Sequence, residues 1–141
     1  MLTFSEAREN GEYRSLPELD RSRLEFLWHS DFWDGPKNGL LVFDGCKYWF
    51  QMFEESADPD LKDFYRRFLV LELTPAQLEE EERWHALFQE KVGYHSDSRY
   101  NQREELAQLK PRNVQVEFYN LYKARVPLDV NANRAIGWFE T

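Results

Sequence analysis

Two glutamates and a histidine at helical spacing are the first residues whose types could do chemistry. Glu81 and His85 are four positions apart and therefore share one face of a helix. Glu82 and His85 have the Glu-x-x-His spacing of carboxylate-bridged metal sites. Such a metal site also needs a second copy of the motif and partner glutamates in a helix bundle, which this β-rich sequence does not provide. We therefore favour the alternative, a buried histidine that hydrogen-bonds to a neighbouring glutamate.

Glu81 is the best candidate for general acid–base work. It falls in the middle of the apolar arc of a predicted helix, among Leu78, Trp84, Phe88 and Val92. A carboxylate that faces a core either becomes protonated or needs a cationic partner such as a histidine or an arginine.

The second candidate group surrounds a loop rich in glycine and proline. His29 is followed by Asp31 and Asp34, and a histidine with two carboxylates could hold a divalent metal or exchange protons, but the spacing matches no established motif. Trp33 and Asp34 belong to the stretch Trp33-Asp34-Gly35-Pro36, and binding residues are often found in such conformationally demanding loops. The structural alternative, which we favour, is that Trp33 plugs the end of the sheet and Asp34 caps the turn. We predict no metal, no cofactor and no catalytic residue, and the candidate binding residues are His29, Asp31, Trp33, Asp34, Glu81 and His85.

The common signatures of phosphate binding and hydrolysis are absent from the sequence. It contains neither G-x-x-x-x-G-K-[ST] nor G-x-G-x-x-G, and Ser96 and Ser98 lack the context of a nucleophile elbow. The net charge of −8 argues against direct binding to nucleic-acid phosphates. Several arginines could gather into an anion site, although their spacing does not show it: Arg66, Arg67, Arg99, Arg103 and Arg112.

The acid excess lies in one part of the chain. Residues 1–90 carry 20 acids and 10 bases, whereas residues 91–141 carry 6 acids and 8 bases. This balance fits simple solubility, or a protein partner with a basic surface. No apolar run approaches the length of a membrane span and the first ten residues do not resemble a leader, so we expect a cytoplasmic protein without membrane contact.

A β-hairpin is the clearest of the elements that must position these residues. Two aromatic-rich runs, Leu40–Phe43 and Cys46–Glu54, flank Asp44-Gly45, which suits a two-residue type I′ turn. Both faces of the second run are mostly apolar, so we expect a central strand. Cys46, the only cysteine, is expected to be a small, semi-buried side chain in it. Further strands are predicted at Arg23–His29, Asp63–Leu73 and Ala135–Glu140, with a loop from Glu55 to Asp60.

The helices are marked by their caps. Thr74-Pro75-Ala76-Gln77 predicts a helix start, and that helix should run to Val92 and stop at Gly93. Val114–Arg125 fits either periodicity, and we favour a helix. Shorter helical segments are predicted at Thr3–Asn10, at a turn beginning at Ser15, and from Asn101 to Leu109. This order predicts a single α+β domain over residues 1–141, in which an antiparallel β-meander of about four to five strands packs against helices.

Three functional interpretations remain open. The leading one is a small acidic soluble interaction module that binds another macromolecule as an inhibitor, immunity or regulatory protein. It predicts an exposed aromatic patch ringed by acids such as Asp31, Asp34, Glu54 and Glu55. The alternative is a small-ligand-binding protein or enzyme whose pocket over the sheet is lined by His29, Asp34, Glu81 and His85, with Arg66 or Arg67 as an anion clamp. A structural or assembly subunit is the third.

Overall fold

A computed structural model describes residues 1–29, 37–58, 63–93 and 110–141 of the chain. The predicted loop that contains Asp31, Trp33 and Asp34 and the predicted helix from Asn101 to Leu109 lie outside these ranges. Within them, the chain forms two compact units. The sheet unit comprises residues 1–29, 37–58, 63–73 and 129–141, and the helical unit comprises residues 74–93 and 110–128. The single-domain assignment of residues 1–141 stays a prediction.

The sheet unit is built on one antiparallel meander. Its strands in the described residues are β1 (Glu25–His29), β2 (Asn38–Phe43), β3 (Cys46–Asp58), β4 (Asp63–Leu71) and β5 (Ala135–Glu140). They lie in the order β1-β2-β3-β4-β5, so each strand pairs with its neighbours in sequence. The predicted α+β class with a β-meander is confirmed. So is the central position of β3, where Trp49 and Phe50 point to opposite faces and are each 2% exposed.

The Asp44-Gly45 turn connects β2 to β3 as the sequence predicts. Asp44 has φ 49° and Gly45 has φ 78°, the left-handed conformation that a type I′ turn requires at both positions. Phe43 and Cys46 form the last pair of the ladder. Cys46 itself is exposed, so its predicted partial burial is wrong. The last pair before a two-residue turn lies at the rim of the sheet, where the core does not reach.

Replacing Gly45 with alanine should lower the free energy of unfolding by about 1–2 kcal/mol, because a Cβ is unfavourable in the left-handed region. The cost is conformational only, since nothing lies within 4 Å of the position that the Cβ would occupy. Urea unfolding followed by circular dichroism measures it. Gly45→Asn is the matched control and should lose less, since asparagine tolerates positive φ better. Equal losses in the two variants would contradict the turn conformation.

The sheet curls around a core on one face. Phe26 on β1 and Phe139 on β5 belong to the two outer strands, yet their ring centroids are 5.5 Å apart. Phe50 lies between them, 5.3 Å from Phe26 and 6.2 Å from Phe139. The buried members of this cluster are Leu19, Leu24, Leu41, Phe50, Phe68, Val70 and Phe139.

The N-terminal segment covers the outer edge of β5. The predicted helix there is shorter than expected: α1 spans Phe4–Ala7 and is capped by Thr3 through a capping box with Glu6. The predicted helical turn at Ser15 is wrong, because a 3₁₀ turn ends there and the chain continues extended. The backbone N–H of Leu19 donates to the carbonyl of Trp138 at 2.7 Å, and the Trp138 N–H donates to the Pro17 carbonyl at 3.1 Å. Pairing with β5 therefore replaces the local capping-box conformation.

Two register shifts in the sheet account for the places where the alternating pattern did not predict the strands correctly. The pairing of β1 with β2 shifts register between Phe26 and Trp28, so Leu27 is the extra residue that breaks the alternation. A second shift lies between Met52 and Glu54 on β3. Beyond it β3 continues to Asp58, and the predicted loop from Glu55 is wrong over Glu55–Asp58.

The helical unit contains α2 (Pro75–Lys91) and α3 (Arg112–Ala124). The predicted cap of α2 is confirmed, because the Thr74 hydroxyl accepts from the Gln77 N–H at 3.1 Å and the Gln77 side chain accepts from the Thr74 N–H at 3.0 Å. The helical interpretation of Val114–Arg125 is also confirmed. Phe88 and Val92 on α2 pack with Phe118 on α3, and Trp84, Leu87, Tyr119 and Tyr122 surround this cluster.

Candidate functional site

The structure describes three of the six predicted site residues. His29 is the last residue of β1 in the sheet unit and is half-buried. Glu81 and His85 lie one turn apart on α2 in the helical unit, and Glu81 is 3% exposed. Asp31, Trp33 and Asp34 lie outside the described residues. A binding site formed by the six residues together therefore stays a prediction.

Glu81 faces the helical core, as its position in the apolar arc indicates, and its partner there is an arginine. Arg125 follows α3 directly, and its Nη1 donates to Glu81 Oε2 at 2.7 Å. The same guanidinium donates through Nη2 to the Tyr122 hydroxyl at 3.0 Å and lies 5.6 Å from the Trp84 ring centroid. The Arg125 and Glu81 side chains are 13% and 4% exposed. This carboxylate is thus half of an internal ion pair that joins the end of α3 to α2.

The arginine could have been anticipated from the sequence. Arg125 continues the helical stripe of Val114, Phe118 and Tyr122, and a buried acid on one helix calls for a base on the apolar stripe of its neighbour. His85 stacks on Phe88, with ring centroids 6.4 Å apart. Among the described residues, no three His, Cys, Asp or Glu side chains come close enough together to hold a metal ion.

The feature that the sequence interpretation missed is a two-stranded arm formed by β3 and β4. The β2–β3 ladder ends at Asn38–Gln51, and the β4–β5 ladder ends at Glu140–Arg67, next to which Arg66 and Thr141 still exchange backbone hydrogen bonds at 2.9 and 3.3 Å. Farther along β3 and β4, residues 55–58 and 63–66 pair with each other from Glu55–Arg66 to Asp58–Asp63, and from Tyr65 outward no other described strand pairs with them. We call residues 55–58 and 63–66 the β3–β4 arm.

Arg67 fixes the root of the arm. Its Nε donates to Glu140 on β5 at 2.8 Å, and its Nη1 donates to Glu54 on β3 at 3.1 Å and to the Tyr13 hydroxyl at 2.9 Å. The guanidinium lies 4.1 Å from the ring centroid of Tyr65, whose hydroxyl donates to Glu54 at 3.2 Å. Burial alone would lower the pKa of Arg67, but the hydrogen bonds to Glu140 and Glu54 outweigh it and raise that pKa above its ordinary value. The charged arginine therefore ties both strands of the arm to β5 and to the N-terminal segment.

Replacing Arg67 with methionine should lower the free energy of unfolding by about 1–3 kcal/mol, because it removes several charge-assisted hydrogen bonds and leaves Glu54 and Glu140 without their cation. Thermal and urea unfolding measure the loss. Arg23→Met is the control: Arg23 pairs with Asp44, but the two side chains are 57% and 60% exposed. That change should cost about 0–1 kcal/mol. A loss at Arg67 no larger than at Arg23 would show that the arm is not anchored there.

The two arginines at the arm root are engaged by the protein's own acids. Arg66 lies 3.5 Å from a carboxylate oxygen of Glu55, its partner across the strands, and Arg67 pairs with Glu54. An anion site at Arg66 and Arg67 would have to displace these contacts. The signal that could have revealed the arm is this cross-strand complementarity, in which Glu54-Glu55 faces Arg66-Arg67 and opposite charges support a continued ladder. Of the other arginines considered, Arg112 is exposed on α3, and Arg99 and Arg103 lie outside the described residues.

Phe64 is the most exposed phenylalanine of the described chain. It lies on the arm opposite Ala57 and is 65% exposed, compared with 45% for Phe26. Asp58 and Asp63 form the next and last described pair of the arm. A large exposed aromatic ring contributes little to folding. The arm therefore presents an apolar side chain that its own fold does not require.

The sheet unit contains seven described arginines. Four of them pair with carboxylates: Arg23 with Asp44, Arg66 with Glu55, Arg67 with Glu54 and Glu140, and Arg134 with Glu72. Other acids of this unit are exposed and have no cationic partner among the described residues, namely Glu9, Glu12, Glu18 and Glu25. Three exposed arginines of the unit, Arg8, Arg14 and Arg21, likewise have no carboxylate partner among the described residues, which in this unit carry 14 acids and 9 bases in all.

Across the described ranges, no helix is both long enough and apolar enough to cross a membrane. Comparison of the chain with protein-family models, with curated proteins and with solved structures finds no match.

Proposed function

We propose that this protein is a non-enzymatic interaction module that binds a protein partner with a basic surface. The observation that carries the proposal is the acid excess of the sheet unit, whose described residues include 14 acids and 9 bases, with four of its seven arginines paired to the chain's own carboxylates. A negative surface steers a positive partner during encounter and disfavours acidic ones. An inhibitor, immunity or regulatory protein of the cytoplasm fits this description, and no direct contact with nucleic acid or membrane is expected.

The small-ligand alternative has less support from the same residues. It requires Glu81 and an arginine of the Arg66–Arg67 pair to face a ligand. Glu81 is instead bound by Arg125 at 2.7 Å, and Arg67 is bound by Glu140 at 2.8 Å. A ligand would have to replace hydrogen bonds that are already charge-assisted.

Affinity purification from the native host with the full chain as bait, followed by mass spectrometry, tests the proposal. We expect a protein of basic isoelectric point that forms a complex when the two purified proteins are mixed. The dissociation constant of that complex should rise about tenfold or more between 50 mM and 500 mM NaCl, because salt screens exposed charges. The combined change of Glu9, Glu12, Glu18 and Glu25 to glutamine should reduce this salt dependence. An acidic partner, or binding that is insensitive to salt, would contradict the proposal.

A further inference from the structure

We draw no further inference here: the strongest candidate, the edge strand β1 with its exposed Phe26 and Leu27 side chains, is an apolar surface patch, and nothing in the structure shows what covers it.

Discussion

Replacing Phe50 with alanine is expected to lower the free energy of unfolding by about 3–5 kcal/mol. Phe50 is 2% exposed and touches rings that come from three other strands. Its ring centroid is 5.3 Å from that of Phe26 on β1, 5.8 Å from Phe68 on β4 and 6.2 Å from Phe139 on β5. Removal of the ring leaves a cavity at the point where the curled sheet meets itself, and hydrogen-bonded strands cannot close over such a cavity without losing their pairing.

Phe64→Ala is the control for this prediction, because the same change is made on β4 at a position that is 65% exposed. Its cost should lie within about 0.5 kcal/mol of zero, as for surface substitutions in general. Urea denaturation followed by circular dichroism gives both values. Losses of similar size in the two variants would mean that the concave face of the sheet is not the main apolar core.

The parts of the fold that follow from local chemistry could be predicted from the sequence. Asp44 and Gly45 specify their turn because few residues accept positive φ at two successive positions. Thr74 and Gln77 specify the start of α2 because each satisfies the other's backbone N–H group. Between them lies an alternating apolar run, and such a run pairs with its neighbours in sequence when the loops are short.

The parts that depend on distant partners could not be predicted. The arm forms because Glu54 and Glu55 lie opposite Arg67 and Arg66 in the β3–β4 ladder. The sequence alone indicates a loop there, because acidic residues followed by a proline are typical of loops. The chain after Ser15 has the spacing of a capping box, but its backbone hydrogen bonds go to Trp138, more than a hundred residues away. In both places long-range strand pairing overrides the local conformational preference, because each pairing satisfies several backbone hydrogen-bonding groups at once.

In the candidate site, too, the feature set by local sequence could be predicted and the long-range contact could not. The burial of Glu81 follows from its place on the helix, since the 100° step between residues puts it among apolar neighbours. The identity of its partner does not follow, because the contact between Glu81 and Arg125 joins residues 44 positions apart. A carboxylate that the sequence presents as the best acid–base candidate is in the structure half of an ion pair.

Breaking that ion pair from one side should cost about 3–5 kcal/mol, because a buried charge is left without its partner. Arg125→Met leaves the carboxylate of Glu81, whose side chain is 4% exposed, with no cation. The double variant Glu81→Leu with Arg125→Met should regain most of the lost stability, since an apolar pair of similar volume avoids burying either charge. Urea unfolding followed by circular dichroism at 222 nm is measured for Glu81→Leu, for Arg125→Met and for the double variant. The three losses together give the coupling energy between the two residues.

The same two helices supply the control. Lys91 on α2 and Glu117 on α3 are 3.8 Å apart, with side chains 28% and 59% exposed, and breaking this pair should cost about 0–1 kcal/mol. The difference between the stability losses on breaking the two pairs shows whether Glu81 has a structural role. If Arg125→Met costs no more than Lys91→Met, the Glu81 carboxylate does not need a cation where it lies. The ion pair would then not be what joins the end of α3 to α2. If the loss is large and the double variant recovers it, Glu81 and Arg125 serve to join the end of α3 to α2, and binding must be sought elsewhere on the molecule.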